Sequence, residues 1–266
     1  MVRAAKEADR ILAVNLIMRF DPLIQAVERI IGERMLGEPL HGFVENYAQD
    51  ADLLPEHWFW DAEKSGGIFV EHGVHFFDLF EMWFGEGRFM AGQHGQRRQT
   101  GMYEQVQATV CYENDVLVNF YHGFHQPSHM DRQEFRIVFE RGDLRLTEWV
   151  PTNVTVDALI TMADADRLAD LFHNVDIEPR LRLTSDQQRV TGRHQTYDAE
   201  GRFVIRGDVG MAKQKLYGET VRALMADQLK YLRDRDHQRR IDEGNGLRSL
   251  QLAVAAAEHA KANYVE

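Results

Sequence analysis

The chain has very little cysteine and no long apolar stretch. Cys111 is the only cysteine in 266 residues, so an internal disulfide and a zinc site built on several cysteines are excluded, which fits a reducing compartment. The longest apolar run near the N-terminus, residues 11–18, is broken by Asn15 and is much shorter than the roughly 20 residues of a membrane-spanning helix. Its charged lead-in is unlike a signal peptide. These features predict a cytoplasmic protein.

Positive charge is also scarce. The chain has 31 Lys and Arg against 42 Asp and Glu, a formal net charge of -11. Nucleic acids and anionic membranes attract basic surfaces, so the balance predicts neither as a partner. A hydrophobic content of 44% with 27% charged residues is ordinary for a soluble globular protein. The length suits one large domain, or one domain plus a fragment.

A dinucleotide-binding glycine turn is missing where it would be expected. Such a turn follows a buried strand and opens a helix. The one match to G-x-G-x-x-small, residues 244–249, follows a charged helix instead. Those glycines are explained as a helix start with Asn245 as the candidate cap. The sequence therefore predicts no nucleotide-binding turn in this chain.

The first twenty residues are typical of the end of a nucleotide-binding α/β domain. Residues 1–10 read as the end of a helix and residues 11–18 as a short buried strand. Asp21 and Pro22 then indicate a turn into a new helix. We expect residues 1–20 to be the remnant of such a domain and residues 21–266 to form a separate α/β domain.

The rest of the chain predicts strands joined by short turns. Alternating apolar residues mark a strand at 40–47, a hairpin over 106–121 and a second hairpin over 135–146. Helices are predicted at 23–31, from the glycine pair at 66–67 to Gly85, at 216–233 and at 247–263, with a short helix at 164–172 and strands at 180–183 and 202–206. The predicted fold class is α+β: a large, mostly antiparallel open sheet with helices packed on one face.

The segment 65–78, SGGIFVEHGVHFFD, carries the clearest chemistry. If two glycines open a regular α-helix there, Glu71, His75 and Asp78 fall within roughly a 60° arc, because positions i, i+4 and i+7 stack on one helix face. A carboxylate beside an imidazole is suited to proton transfer. The pattern indicates a site that moves a proton.

This segment resembles the G-G-x-(L/I)-x-D-x-G-x-H pattern of the Gfo/Idh/MocA oxidoreductases. Weaker matches extend the resemblance over nearly the whole chain: an R-F-x-P turn at 19–22, a G-E-P at 37–39, a tryptophan-rich loop and a terminal G-x-G-L helix at 244–247. The resemblance implies the C-terminal domain of a glucose-fructose oxidoreductase-like protein. It also implies a homo-oligomer, a dimer or tetramer formed through the open sheet.

The resemblance implies an activity as well. Enzymes of this family transfer a hydride between NAD or NADP and a carbon bearing a hydroxyl or carbonyl, usually on a sugar, inositol or related polyol. His75 takes the position of the family histidine, which exchanges the hydroxyl proton. Glu71 takes the position of the family aspartate, which orients or tunes the histidine.

Two departures from the family pattern matter. Glu71 is longer than aspartate by one methylene, which shifts a positioned carboxylate. The chain also lacks both the nucleotide-binding half and the lysine of the family E-K-P motif. We therefore expect this chain to be a truncated form that is inactive alone and binds NAD or NADP weakly, whereas the full-length protein binds one of them.

Further residues are candidates for contacts with substrate or cofactor. Tryptophan rings suit the C–H face of a polyol, although packing beneath a loop is their commoner role. A histidine in this setting is often a satisfied polar group, and an arginine often forms a structural ion pair. The substrate candidates are Trp58, Trp60, Asp78, His72, His122 and His125, and the cofactor candidate is Arg19.

Two alternatives belong to other functional classes. One is a non-catalytic module that binds a sugar and dimerises through its sheet. The other is a metal-dependent lyase or hydrolase, since nitrogen and carboxylate ligands suit zinc or manganese. His72 lies near 60° from His75 around a regular helix, and no second ligand helix is identifiable, so we predict no metal.

Overall fold

The computed structural model describes residues 1–97 and 101–263. The chain forms two compact units. The first contains Met1–Phe20, Phe43–Gln133 and the segment from Tyr217 onward, and the second contains Asp21–Gly42 and Glu134–Leu216. The candidate site residues all belong to the first unit.

The helices and strands lie as follows. The helices are α1 Val2–Glu7, α2 Pro22–Gly32, α3 Ala62–Ser65, α4 Val74–Phe84, α5 Met162–Ala169, α6 Lys213–Arg233 and α7 Glu243–Ala262. The strands are β1 Pro39–Gln49, β2 Arg88–Gln96, β3 Tyr103–Cys111, β4 Leu117–Gln126, β5 Arg132–Phe139, β6 Gly142–Thr147, β7 Asn153–Ile160, β8 His173–Arg182, β9 Arg189–Thr191, β10 Thr196–Asp198 and β11 Gly201–Asp208. Short 3-10 segments cover Ile17–Phe20, Trp58–Trp60 and Glu113–Asp115, and a π-helical turn covers Phe69–Gly73.

In the first unit the strand order is β2-β3-β4-β1. The pairs β2/β3 and β3/β4 are antiparallel, and the hairpin predicted over 106–121 is confirmed. Apolar residues of β4 alternate in burial, as expected for a strand with one face on the core. Phe77 and Phe80 of α4 place their rings 4.7 and 5.3 Å from that of Phe120. Aromatic packing therefore fixes α4 on β4.

In the second unit the strand order is β5-β6-β7-β11-β8, with antiparallel pairing throughout. The hairpin predicted over 135–146 is confirmed. Helix α2 begins as the sequence indicates: Pro22 occupies its first turn, and the Asp21 carboxylate accepts hydrogen bonds from the backbone N–H groups of Leu23 and Ile24. The predicted fold class, a large and mostly antiparallel sheet with helices, is confirmed.

The predicted strand over 11–18 is wrong. Residues 10–16 have no regular secondary structure, and Ile17–Phe20 forms a 3-10 turn. The N–H of Leu12 donates to Glu243 Oε1 at 2.9 Å. A short apolar run becomes a strand only where another strand pairs with it, and periodicity does not report on that.

The predicted cap of the last helix also needs correction. Asp242, not Asn245, is the N-cap of α7, and the Asn245 side chain accepts a hydrogen bond from the Asp242 N–H to complete a capping box. Gly246 lies in the first turns of α7, where an added Cβ would stand 2.7 Å from Val14 Cγ2. Gly246 therefore serves the packing of α7 on the N-terminal segment.

Within residues 1–97 and 101–263, every helix is too short or too polar to cross a bilayer.

Candidate functional site

Two glycines set the start of the site segment. Gly66 and Gly67 have φ values of +77° and +84°, which L-residues with a side chain rarely adopt. A Cβ on Gly66 would also lie 2.6 Å from Val70 Cγ1. The Gly67 N–H donates to Ser65 Oγ at 2.9 Å. The prediction that the glycine pair opens the helical segment is confirmed.

The first turn of that segment is not α-helical. Phe69–Gly73 forms a π turn, and the α-helix starts at Val74. A π turn contains one more residue than an α turn, so side chains before it are rotated relative to those after it. The extra residue allows Phe69 to pack inward and places the His72 ring 5.2 Å from that of Phe76. The single face predicted for Glu71, His75 and Asp78 assumed a regular α-helix, whereas only His75 and Asp78 lie in one and Glu71 lies in the π turn.

Glu71 and His75 are both partly buried. Burial raises the pKa of Glu71 and lowers the pKa of His75, because a low-dielectric environment disfavours the charged form of each. Among the described residues, no hydrogen bond joins the two side chains or ties either of them elsewhere. His75 is therefore held as a neutral imidazole with a nitrogen lone pair able to take a proton.

His72 and His122 form a buried pair behind this position. Nδ1 of His72 lies 3.2 Å from Nδ1 of His122, and their rings stand 5.1 Å apart at 78°. His72 comes from the π turn and His122 from the core face of β4, beside Phe124. Burial and the charge of nearby His75 lower the pKa of His122 to about 3. Burial, together with His122 and His75, holds the pKa of His72 well below its usual value.

His125 is not part of this group. Three residues along a strand reverse the side-chain direction, so His125 lies on the sheet face opposite His122. There Nε2 of His125 lies 2.9 Å from the Tyr121 hydroxyl, Nδ1 accepts from the Gln126 side-chain amide at 2.9 Å, and Tyr121 donates to Gln105 Oε1. The expectation that His122 and His125 share one cleft is corrected by the alternation of β4.

Arg19 and Asp78 bind each other. Arg19 Nε donates to Asp78 Oδ2 at 2.8 Å and Nη2 donates to Oδ1 at 2.7 Å, and both side chains are buried. This bidentate geometry suits a structural ion pair. Arg19, predicted to contact cofactor, and Asp78, predicted to contact substrate, instead join the N-terminal segment to α4.

The two tryptophans have different environments. Trp58 is 48% exposed. Trp60 is partly buried, its Nε1–H donates to the Leu53 carbonyl at 2.9 Å, and its ring stands 5.0 Å from Phe59. Trp60 and Phe59 line a cavity of about 940 Å³ that also reaches Gly67, Lys64 and Lys261. Trp60 has the fixed orientation of a packing residue, whereas the Trp58 ring is available to solvent.

Sequence reasoning missed the pairing of His72 with His122 and the contribution of α7 to the cavity. Part of this could have been predicted from the alternation of β4, which places His122 on the same face as Phe120 and Phe124. The position of His72 depends on the π turn, which no periodic pattern in the sequence predicts. In the described ranges, no cluster of three or more His, Cys, Asp or Glu residues is arranged to hold a metal ion.

Fold comparison defines the class of protein. An oxidoreductase from Agrobacterium radiobacter, solved with NAD+, L-tartaric acid and magnesium, matches with a TM-score of 0.63 at 16% identity, over 98% of this chain and 66% of that one. A scyllo-inositol dehydrogenase from Lactobacillus casei, with bound NAD(H) and scyllo-inositol, matches with a TM-score of 0.60 at 14% identity, over 97% and 65%. Biliverdin reductase from Synechocystis, with biliverdin and NADP+, gives 0.62 at 15% identity, over 97% and 66%.

These structures are NAD(P)-dependent oxidoreductases, and the chain shares the fold of one part of them. It spans about two thirds of their length. Residues 24–145 match the family model described as GFO/IDH/MocA C-terminal domain. The chain is therefore similar over this range to a C-terminal domain of the Gfo/Idh/MocA type, and the resemblance seen in the sequence is confirmed. Among curated proteins, none matches the chain in sequence.

Proposed function

We propose that this chain is the substrate-binding part of an NAD(P)-dependent oxidoreductase that acts on a sugar, an inositol or a related polyol. The observation that carries the proposal is a neutral, partly exposed His75 on the helical segment opened by Gly66 and Gly67, within the family-matched range 24–145. The fold neighbours that bind scyllo-inositol or tartrate support a hydroxyl-bearing substrate.

Two features that could have contacted a dinucleotide have other partners. The guanidinium of Arg19 is bound by Asp78, and Gly246 packs α7 against Val14. In the fold neighbours NAD or NADP supplies or accepts the hydride. We assign to this chain only the substrate and proton side of the reaction.

His75 is the proposed proton acceptor. When a substrate alcohol becomes a carbonyl, its O–H bond breaks and the proton passes to the neutral imidazole. Glu71 is proposed to orient substrate or to tune His75 through its charge, since no hydrogen bond joins the two in the described structure. Trp58 is proposed to offer its exposed ring to the C–H face of the polyol.

The test replaces His75 with Gln and measures NADH and NADPH formation from a panel of inositols and sugars. The assay uses this chain and a form that includes any residues encoded upstream. Loss of proton transfer predicts a fall in kcat of roughly 10²-fold to 10⁴-fold. His125→Gln, on the opposite face of β4, is the control and should keep full turnover. Equal turnover in the His75 variant and the control would overturn the proposal.

A non-catalytic sugar-binding module is the second candidate. The ion pair of Arg19 with Asp78 favours it, because the candidate cofactor contact is taken up within the chain. Calorimetric titration of the chain with NADH, NADPH and the polyol panel separates the two: a module binds polyol, and replacing His75 changes only affinity. We also propose a cytoplasmic homo-oligomer, a dimer or tetramer formed through the open sheet, which light scattering at several concentrations would test.

A further inference from the structure

His72 and His122 form a titratable pair that the proposed proton transfer does not use. Their Nδ1 atoms stand at hydrogen-bond distance, 3.2 Å. Two neutral imidazoles can share such a bond only if one carries its proton on Nδ1 and the other carries it on Nε2. The pair therefore has two possible arrangements, which differ in the direction of donation.

Burial decides that both rings are neutral. His122 has no exposed surface, and the pKa of His122 is lowered to about 3 by that burial and by His75. Phe76 stacks on His122 at 5.1 Å, and Phe124 stands edge-on to His72 at 5.2 Å. Aromatic walls offer no polar group to stabilise an imidazolium.

The nitrogen of His122 that has no hydrogen-bond partner indicates which of the two imidazoles donates the shared hydrogen bond. Nε2 of His122 is buried and has no hydrogen-bond partner in the described structure. A buried N–H without an acceptor costs more than a buried lone pair without a donor, and unpaired donors are the rarer of the two in proteins. His122 therefore carries its proton on Nδ1 and donates to Nδ1 of His72. It follows that the His72 proton is on Nε2.

We propose that His72 donates a hydrogen bond from Nε2–H to a substrate oxygen beside His75, and that His122 is the positioning residue that fixes this tautomer. The proposal rests on the proposed function and deepens it. Two features support the placement. His72 is partly exposed, unlike His122, and His75 lies close enough to His72 to contribute to its lowered pKa.

The chemical class recognised is an oxygen that accepts a hydrogen bond, either a polyol hydroxyl or the carbonyl formed from it. A neutral N–H stabilises the growing negative charge on that oxygen without competing with His75 for its proton. In this proposal His75 accepts the proton, and His72 binds the substrate oxygen.

The first experiment assigns the tautomers in the intact chain by ¹⁵N–¹H correlation spectra of labelled histidines between pH 5.5 and 8. We expect Nδ1–H at His122 and Nε2–H at His72 throughout. Nε2–H at His122, or a charged ring at either position, would overturn the inference. His122→Asn keeps a donor at the Nδ1 position and should keep the His72 tautomer, whereas His122→Phe should give a mixture of His72 tautomers.

The second experiment adds scyllo-inositol to the same sample. Binding should shift the His72 Nε2–H resonance, and His72→Phe should weaken binding about tenfold, the effect of about one lost hydrogen bond. His72→Gln keeps a donor near Nε2 and should bind as the wild type does, as should the control His125→Phe. Binding with an unchanged His72 signal would overturn the inference and leave the proposed function standing. Failure of the whole polyol panel to bind would instead overturn the proposed function.

Discussion

Asp21 and His122 are fully buried titratable groups that burial affects in opposite directions. Burial raises the pKa of Asp21 from 3.8 to about 7, against two backbone hydrogen bonds that lower it. Burial lowers the pKa of His122 to about 3. Each shift favours the neutral form. Stability contributed by His122 is therefore lost as pH falls from about 6.5 toward 3, whereas that contributed by Asp21 is lost as pH rises from about 4 to 7.

Asp21→Asn should remove the loss of stability that ionisation of Asp21 causes as pH rises from about 4 to 7. Asn is an equally good N-cap and stays neutral. Since a pKa difference of one unit corresponds to about 1.4 kcal/mol, the variant should gain up to about 4 kcal/mol relative to the wild type between pH 4 and 7. Urea unfolding at a series of pH values measures the difference. Asp242→Asn, at the exposed cap of α7, is the control; a gain independent of pH would contradict the argument.

At the level of secondary-structure elements, the π turn shows where sequence patterns stop being informative. Hairpins could be predicted because alternation and turn residues are local properties. The start of the helical segment could be predicted from its glycines. The π turn could not, because it depends on how Phe69 and His72 pack against the sheet. The difference matters for function, because His72 lies in this turn and contacts His122.

Gly66 and Gly67 provide a matched test of this segment. Both have positive φ, so an alanine at either position should cost about 1–2 kcal/mol of stability from backbone strain. Only at Gly66 does a Cβ meet a neighbour, Val70, which adds about 1–3 kcal/mol of overpacking. We expect Gly66→Ala to be clearly more destabilising than Gly67→Ala in urea unfolding. Equal losses would show that the contact with Val70 relaxes freely.

At the level of the whole molecule, contacts distant in sequence were the hardest to predict. Arg19 and Asp78 are 59 positions apart, and each alone suggests a ligand contact. Only the fold shows that they satisfy each other. The same holds for His72 and His122, 50 positions apart. Fold class followed from local patterns, whereas the composition of the site depended on which elements meet.

Removing one partner of the Arg19–Asp78 pair should destabilise the fold more than replacing both partners with apolar residues. Asp78→Leu leaves a buried guanidinium without its partner, and we expect a loss of about 3–5 kcal/mol in unfolding free energy. Arg19→Met combined with Asp78→Leu should recover most of that loss. Asp198→Asn, in the exposed pair with Arg189, is the comparison and should cost about 1 kcal/mol or less. A double variant as unstable as the single one would argue against a structural role.

The contact of the N-terminal segment with α7 has a consequence for the order of events during synthesis. Leu12 bonds to Glu243, and Val14 fills the space left by Gly246. These partners are separated by more than two hundred positions, so the ribosome releases the first long before it makes the second. Leu12 and Val14 therefore remain without these contacts, and accessible to chaperones and proteases, until α7 emerges. This part of the fold can form only after α7 has been translated.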